Sequence, residues 1–304
     1  MLTFFRECLP LHKTNSMRKI RIVKNYMSLV KFSHTLFAMP FALVGYFLGA
    51  EVAGFSMKLL GLVVLCMVFA RNAAMAFNRF VDKEFDKANE RTQNREIPAG
   101  TIHPKSALFF IILNSVLFIL TTWFINSLCF YLSPVALIVI LGYSFTKRFT
   151  ALSHLVLGLG LSLAPIGAYL AATGEFAIVP IMLSIMVLFW VSGFDIIYSL
   201  QDESFDKSNK LFSIPAYFGA KHALWVSRIF HIIAGAMCIS IMQIIHLKVA
   251  GLISSILFLS LLLYQHLLVK HDNLKKVNLA FFTLNGIASV LYAGGIITDL
   301  IFTF

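Results

Sequence analysis

Residues 57–100 read MKLLGLVVLCMVFARNAAMAFNRFVDKEFDKANERTQNREIPAG, an apolar run that passes directly into a charged segment. The apolar part, 57–77, has the length of about 20 residues that a helix needs to cross the hydrocarbon core of a bilayer. The charged part places carboxylates at a membrane edge, where a charge is costly unless it has a ligand or a partner. This junction therefore predicts a membrane protein with a functional site where a helix leaves the bilayer.

The whole chain has the composition of an integral membrane protein. Of its 304 residues, 59% are hydrophobic and 13% are charged, whereas a soluble domain carries about 25% charged residues. Nine stretches are apolar enough to span a bilayer: 28–50, 57–77, 105–125, 128–146, 152–172, 177–198, 221–243, 247–269 and 279–302. We therefore expect an all-α integral membrane fold with nine transmembrane helices. The membrane domain would cover 28–304, after a basic cytoplasmic segment at 1–27.

The net charge of +11 is distributed as the positive-inside rule requires. If the N-terminus is inside, 21 of the 25 Lys and Arg residues fall in inside segments, and so do both acidic clusters described below. Basic residues in alternate loops are a topology signal and not a nucleic-acid stripe, so we expect no nucleic-acid partner. The four cysteines are scattered without C-x-x-C spacing and predict neither a disulfide framework nor a zinc site.

Nine of the fourteen acidic residues fall in two short segments, 82–96 and 195–206. The spaced polar residues of these segments are Asn78, Asp82 and Asp86 in the first, and Asp195, Tyr198, Asp202 and Asp206 in the second. A spacing of four places side chains on one helix face. Magnesium prefers such hard oxygen ligands and usually shares them with substrate phosphate. Two facing carboxylate stripes therefore predict a magnesium-bridged diphosphate site rather than ordinary solvated helix ends, because acids are so scarce elsewhere.

Several basic residues lie near these clusters. Arg71 interrupts an apolar run, and an intramembrane arginine usually faces a cavity, so it either holds an anionic substrate or pairs with Asp195. Four others mark cytoplasmic helix ends or bind a diphosphate: Arg91, Arg95, Lys147 and Arg148.

The two long inside segments, 78–104 and 199–220, have a similar order of residues. Each follows a span and runs from an acidic cluster through basic residues to a proline and a glycine. This pattern indicates a degenerate internal repeat with the site at the interface between the repeats.

Three stretches make the chain resemble the UbiA superfamily of intramembrane aromatic prenyltransferases: NRFVDKEFDKANERTQNREIPAG at 78–100, YSFTKR at 143–148 and DIIYSLQDESFD at 195–206. The resemblance covers nearly the whole chain. It implies a helical bundle around a central cavity, capped by inside-facing loops and open laterally to lipid. It also implies a cytoplasmic (inner) membrane location and two substrates, a polyprenyl diphosphate and an aromatic carboxylic acid.

The resemblance also implies roles for the residues. Mg²⁺ would be held by Asn78, Asp82, Asp86, Asp202 and Asp206, and the diphosphate would be neutralised by Lys147 and Arg148, with Arg95 as a further contact. An allylic carbocation would then be attacked by a ring carbon of the acceptor. Asp195 would orient the acceptor or take its proton, and Tyr198 would contact the diphosphate or shape the pocket. Arg71 would suit the carboxylate of the acceptor.

The acceptor has two candidates within this family. The best-known branch prenylates 4-hydroxybenzoate for ubiquinone, and we expect that acceptor. The stretches KFSHTLFAMP and ARNAAMAFNR depart from the usual pattern of that branch, which leaves a dihydroxynaphthoate of menaquinone synthesis as the alternative. A cation-coupled transporter is the alternative of another class, but transport sites usually lie near the midplane of the bilayer and not at its edge.

Overall fold

The computed structural model describes residues 24–30 and 37–302 of the chain, and these residues are almost entirely helical. Residues 24–29 are helical, and the remaining elements are α1 (Met39–Ala53), α2 (Met57–Val81), α3 (Lys83–Ala88), α4 (Pro104–Trp123), α5 (Ser127–Thr146), α6 (Ser153–Thr173), α7 (Ile178–Ser199), a 3₁₀ turn (Leu200–Asp202), α8 (Glu203–Ser208), α9 (Ile214–Ile244), α10 (Val249–Leu268), a π-helix (Leu279–Leu284) and α11 (Asn285–Ile301).

The predicted all-α membrane architecture is confirmed. Eight helical stretches of the described chain are long and apolar enough to cross a bilayer, and α1 is a ninth, shorter apolar helix. The predicted first span, 28–50, differs most from the structure: its helix begins at Met39, residue 30 lies in a turn, and 31–36 lie outside the described residues. Pro40 explains this start, since proline fits the first turn of a helix but not its interior. The predicted N-terminal segment, 1–27, falls largely outside the described residues.

Polar residues begin the helices where the apolar runs begin. Ser56 accepts a hydrogen bond from the Leu59 N–H at 3.3 Å at the start of α2. Asn126 accepts one from the Cys129 N–H at 2.8 Å at the start of α5. Each cap satisfies an N–H group that has no partner inside its helix, which matters most where no water can replace it.

Helix α7 lies at the centre of the bundle. It packs against α6 and α9, while α1 packs against α6 and α11, and α2 packs against α4 and α5. The α7 residue Trp190 is fully buried, with its ring against those of Phe41, Phe194 and Phe258. Its Nε1–H donates to Asn285 Oδ1 at 3.0 Å, so the indole is satisfied inside the apolar core. The helix that carries Asp195 is therefore anchored at the centre of the bundle.

Both acidic segments contain a break that the sequence interpretation missed. The spacing of four places each cluster on one helix face, and the structure adds a break in the helix at Asp82 (φ −90°, ψ 9°) and at Asp202 (φ −103°, ψ 4°). Each of these residues ends one helix and precedes a six-residue helix, α3 or α8. The hydrogen bonds still run four residues back in the first segment, from Asp82 N–H to the Asn78 carbonyl at 3.0 Å and from Asp86 N–H to the Asp82 carbonyl at 2.7 Å. The acidic side chains therefore stay aligned across the break.

The same sequence of elements in both segments agrees with the predicted internal repeat. In each, a long helix is followed by an aspartate, a six-residue helix and a glycine with positive φ, Gly100 at 71° or Gly219 at 78°. Only glycine reaches this backbone region readily, so each turn back into the membrane requires it.

Candidate active site at the membrane edge

The two acidic segments form opposite walls of one cleft. The cleft has a volume of about 920 Å³, including the part open to solvent. Ten of the eleven predicted site residues line it: Asn78, Asp82, Asp86, Arg95, Lys147, Arg148, Asp195, Tyr198, Asp202 and Asp206. Helices α2 and α3 supply one wall, α7 and α8 supply the other, and the end of α5 contributes the basic pair.

Arg71 is the predicted residue that the structure does not bring to this cleft. It lies half-buried within α2, seven residues before Asn78, and is not among the lining residues. The proposed pairing with Asp195 is not what the structure has, because the Asp195 carboxylate contacts a histidine instead.

Four of the cleft carboxylates belong to the two Asp-x-x-x-Asp motifs, and each of these four forms an ion pair with a basic side chain. The pairs and their N–O distances are Asp82 with Arg148 at 3.4 Å, Asp86 with Arg95 at 2.6 Å, Asp202 with Arg91 at 2.5 Å and Asp206 with Lys147 at 3.4 Å. All four cations are partly exposed to solvent. Four carboxylates and four cations are thus paired in the cleft, which can balance both a metal cation and an anionic ligand.

Arg91 links the two walls. Its Nε and Nη2 donate to both oxygens of Asp202, at 3.0 and 2.5 Å, and its Nη1 donates to Tyr198 Oη at 2.8 Å. The Tyr198 ring is stacked on Phe281 of the π-helix, with 4.0 Å between ring centroids. The contact ties Tyr198, which lines the cleft, to a π-helix, a rare element that is found often at functional sites and that spacing did not reveal.

The donor set suits a hard divalent cation. Carboxylate and amide oxygens are the ligands magnesium takes in proteins. Asp86 Oδ2 is buried and has no hydrogen-bond partner among the residues described, which leaves an unsatisfied anionic oxygen in the cleft wall. Asn78 Nδ2 donates to Asp82 Oδ2 at 3.0 Å, so the Asn78 amide oxygen is turned away from that carboxylate. No group of three acidic, His or Cys side chains within 24–30 and 37–302 converges as a metal cluster, and four of the cleft carboxylates are paired with basic residues instead.

Two pKa shifts reflect this electrostatic balance. Burial, reinforced by the neighbouring Asp86 carboxylate, raises the pKa of Asp82 to about 6. Burial alone would lower the pKa of Lys147, but the carboxylates of Asp206, Asp202 and Asp195 outweigh it and the pKa is raised. Asp82 is thus a carboxylate that would gain from a nearby cation, and Lys147 keeps its positive charge.

Asp195 has a partner that the sequence analysis did not identify. Its Oδ2 lies 2.7 Å from Nδ1 of His154, which is completely buried in α6. The Ile214 N–H donates to His154 Nε2 at 3.4 Å, so Nε2 carries no proton. The proton is therefore on Nδ1 and is donated to Asp195, whose other oxygen accepts no hydrogen bond from the described residues.

A signal for His154 was present in the sequence. A histidine near the start of an apolar span, like an arginine inside one, usually has a polar partner. Because His154 and Asp195 are 41 residues apart in the chain, spacing could not show that they are partners. Glu96 lies in the first acidic segment but outside the cleft, where it contacts Ser28 and Arg79.

Comparisons with known proteins agree with this architecture. The family model described as the UbiA prenyltransferase family matches residues 38–287. A 4-hydroxybenzoate octaprenyltransferase of Vesicomyosocius okutanii is 30% identical over 249 residues, covering 82% of this chain and 90% of the relative. A 4-hydroxybenzoate octaprenyltransferase of Tolumonas auensis is 28% identical, covering 74% of this chain and 78% of the relative.

Solved structures show the same fold. A UbiA homologue from Aeropyrum pernix, in its apo form, superposes with a TM-score of 0.80 at 31% identity, covering 88% of this chain and 98% of its own. A UbiA homologue from Archaeoglobus fulgidus, solved with DMAPP and Mg²⁺, superposes with a TM-score of 0.72 at 20% identity, covering 91% of this chain and 99% of its own. The paired acidic walls thus sit in a shared architecture, and this multi-pass membrane protein belongs to the UbiA prenyltransferase family.

Proposed function

We propose that this protein transfers a polyprenyl group from a polyprenyl diphosphate to 4-hydroxybenzoate in respiratory quinone synthesis, with Mg²⁺ as cofactor. The observation that carries the proposal is the cleft at the end of a membrane bundle, which five aspartates line and in which four of them are paired with four cations. The relatives named 4-hydroxybenzoate octaprenyltransferase, which align over most of the chain, support this choice of acceptor.

Mg²⁺ would be held by oxygens of Asn78, Asp82, Asp86, Asp202 and Asp206. When bound, magnesium would offset the charge of the diphosphate and make it a better leaving group. Lys147 and Arg148, with Arg91 and Arg95, would turn from their carboxylate partners toward the phosphate oxygens. Arginine forks bind phosphate through two hydrogen bonds, as Arg91 now binds Asp202.

In the reaction, the allylic C–O bond of the donor breaks and diphosphate leaves, a ring carbon of the acceptor forms the new C–C bond, and the proton lost from that carbon would pass to the Asp195 carboxylate. Asp195 would accept a hydrogen bond from the acceptor hydroxyl through Oδ1, the oxygen that does not contact His154. This hydrogen bond would increase the electron density of the acceptor ring. His154 would hold the Asp195 carboxylate in place through its Nδ1–H. The Tyr198 ring, held in place by its stacking on the buried Phe281, would form an apolar side of the cleft next to the reacting carbon.

Arg71 keeps a separate proposal. Arg71 lies seven residues, or two helical turns, before Asn78 and deeper in the membrane. It would therefore bind the acceptor carboxylate only if the acceptor reached from the cleft toward the membrane interior. Arg71→Ala would then raise the KM for the acceptor far more than the KM for the donor. Equal increases of both KM values would indicate a structural role.

The proposed membrane is the inner (cytoplasmic) membrane, with the N-terminus and the cleft loops in the cytoplasm. The asymmetry of lysine and arginine between alternate loops supports this orientation.

The decisive experiment is prenyl transfer by purified protein in liposomes, with a polyprenyl diphosphate and with 4-hydroxybenzoate or a dihydroxynaphthoate offered in parallel. We expect a magnesium-dependent product with the mass of prenylated 4-hydroxybenzoate. A prenylated naphthalene alone would reassign the acceptor to menaquinone synthesis. Formation of neither product by folded protein would contradict the proposed transfer.

The same assay tests the site. Asp82→Ala and Asp202→Ala should each lower turnover by about 10²-fold or more, because each removes a carboxylate that would hold the metal. Glu203→Ala is the matched control: Glu203 precedes the α8 aspartate but pairs with Lys207 and does not line the cleft. Undiminished turnover in both aspartate variants would contradict the assignment of this site.

A further inference from the structure

A second cleft lies between α9 and the end of α10. Its volume is about 860 Å³, including the part open to solvent, and it shares no lining residue with the acidic cleft. Leu224 in its wall belongs to a buried apolar cluster with Ile196 of α7 and Leu200 of the 3₁₀ turn. These two residues alternate with Asp195, Tyr198 and Ser199, which face the first cleft, so an apolar layer separates the two clefts.

The second cleft is basic and its cations are not neutralised. Lys221, Arg228 and Lys270 line it, and none of them forms an ion pair with a carboxylate of the described chain. The acid that lines it, Asp272, is exposed and lies 4.0 Å from His271. This differs from the first cleft, where all four cations are paired. Lysine and arginine side chains at the cytoplasmic end of a membrane helix attract anionic groups of the bilayer surface, so an anion in the cleft would complete their pairing.

The form of the cleft favours an anion that carries an apolar tail. Lys221 and Arg228 are seven residues apart, so they lie on the same face of α9. The Arg228 guanidinium lies 4.8 Å from the centre of the Trp225 ring, a cation–π contact that orients the arginine fork. Trp225 is 55% exposed and Leu267 is 66% exposed, so the rim of the cleft is apolar where it meets the membrane. Tryptophan at this depth is typical of the headgroup level of a bilayer.

A chain of hydrogen bonds fixes the back wall. His231 Nε2 lies 3.2 Å from the Trp190 carbonyl oxygen, which can only accept, so this nitrogen carries the proton. His231 Nδ1 then accepts from His266 Nε2 at 2.9 Å. His266 lines the cleft, and this chain anchors it to the central helix α7. A wall that is already ordered loses little conformational entropy when a ligand binds.

We propose that this second cleft binds the phosphate headgroup of an anionic phospholipid. Lys221, Arg228 and Lys270 contact the phosphate, and the acyl chains run along Trp225 and Leu267 into the bilayer. The site would anchor the α9–α10 hairpin to the membrane without taking part in prenyl transfer.

Native mass spectrometry of the full-length protein in non-ionic detergent tests the proposal. Phosphatidylglycerol and phosphatidylcholine with the same acyl chains are titrated into wild type, Arg228→Gln/Lys270→Gln and Lys105→Gln/Lys276→Gln. The two double variants change the net charge equally, and Lys105 and Lys276 line neither cleft. We expect wild type to prefer phosphatidylglycerol, and the cleft variant to lose this affinity by roughly tenfold or more. The control variant should change it by less than about twofold.

Several outcomes would overturn the proposal. Equal losses in both double variants would mean that net charge, and not this cleft, attracts the lipid. Binding of inorganic phosphate or geranyl diphosphate that depends on Arg228 and Lys270, without such dependence for phosphatidylglycerol, would assign the cleft to another phosphate ligand. If the double variant does not fold, the exposed single change Lys270→Gln carries the test, and Arg228→Lys should retain most of the preference because it keeps the charge.

Discussion

At the scale of single residues, the cleft is a set of reciprocal charges. A carboxylate in a partly buried wall is costly without a cation, and each member of the two acid pairs has one. The types of these residues could be predicted from the sequence because acids are scarce elsewhere in the chain. The pairing of each arginine with its aspartate could not be predicted, because Arg91 and Asp202 are 111 residues apart and meet only through the packing of two segments.

His154 provides the first prediction at this scale. His154→Leu removes the donor to Asp195 and should lower kcat by about 10- to 100-fold, part of the 10²–10⁴-fold that general acid–base groups contribute. Magnesium affinity should change little, because His154 does not line the cleft. His154→Asn, whose amide can replace the Nδ1–H donor, should recover part of kcat.

Steady-state kinetics with both substrates, together with calorimetric magnesium titration, would check this positioning role. A loss of magnesium binding that matched the loss of kcat would instead show that His154 supports the whole cleft.

At the scale of elements, the helices are placed by close contacts that only small residues allow. Gly45 of α1 faces the backbone of Pro165 in α6, and a Cβ at this position would overlap the Pro165 carbonyl oxygen. Gly158 of α6 faces α7 in the same way, against Ser192 and the Leu188 carbonyl. Small residues at helix interfaces are the usual means of close packing in membranes, where hydrophobic exclusion does not drive helices together.

Gly45→Ala should therefore destabilise the protein by about 1–3 kcal/mol or more, because a backbone atom cannot move aside as a side chain can. Gly167→Ala in α6 is the matched control: its added methyl would meet nothing within 4 Å, and the free energy of unfolding should change by less than about 1 kcal/mol. Unfolding in mixed detergent, followed by circular dichroism, would measure both. Equal stabilities of the two variants would contradict the close approach of α1 and α6.

The short helices α3 and α8 show the limit of pattern reasoning about elements. A spacing of four predicts a helix, and i, i+4 hydrogen bonds are present around Asp82. The break in φ and ψ at Asp82 and Asp202 has no counterpart in that spacing. The break arises where each acidic segment leaves the membrane and turns along the edge of the bundle. That turn is imposed by tertiary packing and not by local sequence.

At the scale of the whole molecule, the cleft side should face the cytoplasm. In a variant with all four cysteines replaced, Lys58→Cys at the start of α2 should react with an impermeant maleimide in intact spheroplasts. Lys207→Cys in α8 should react only after the membrane is opened. Both lysines are exposed in the structure, so the difference reports the side of the membrane and not burial. The reverse pattern would invert the predicted topology.

The sequence by itself determined the architecture of this protein and the chemistry of its cleft. The bilayer requires long apolar helices and a basic cytoplasmic side, so spans and charge asymmetry can be counted along the chain. The acidic residues stand out against that apolar background, and ten of the eleven predicted site residues meet in one cleft.

Only the tertiary structure decided which of these residues are partners. It brought His154 to Asp195, stacked Phe281 of a π-helix on Tyr198, and left Arg71 outside the lining of the cleft. Local spacing reports the face of a helix but not the neighbour that this face meets. That neighbour depends on the packing of helices far apart in the chain, which is set by shape and by small residues such as Gly45.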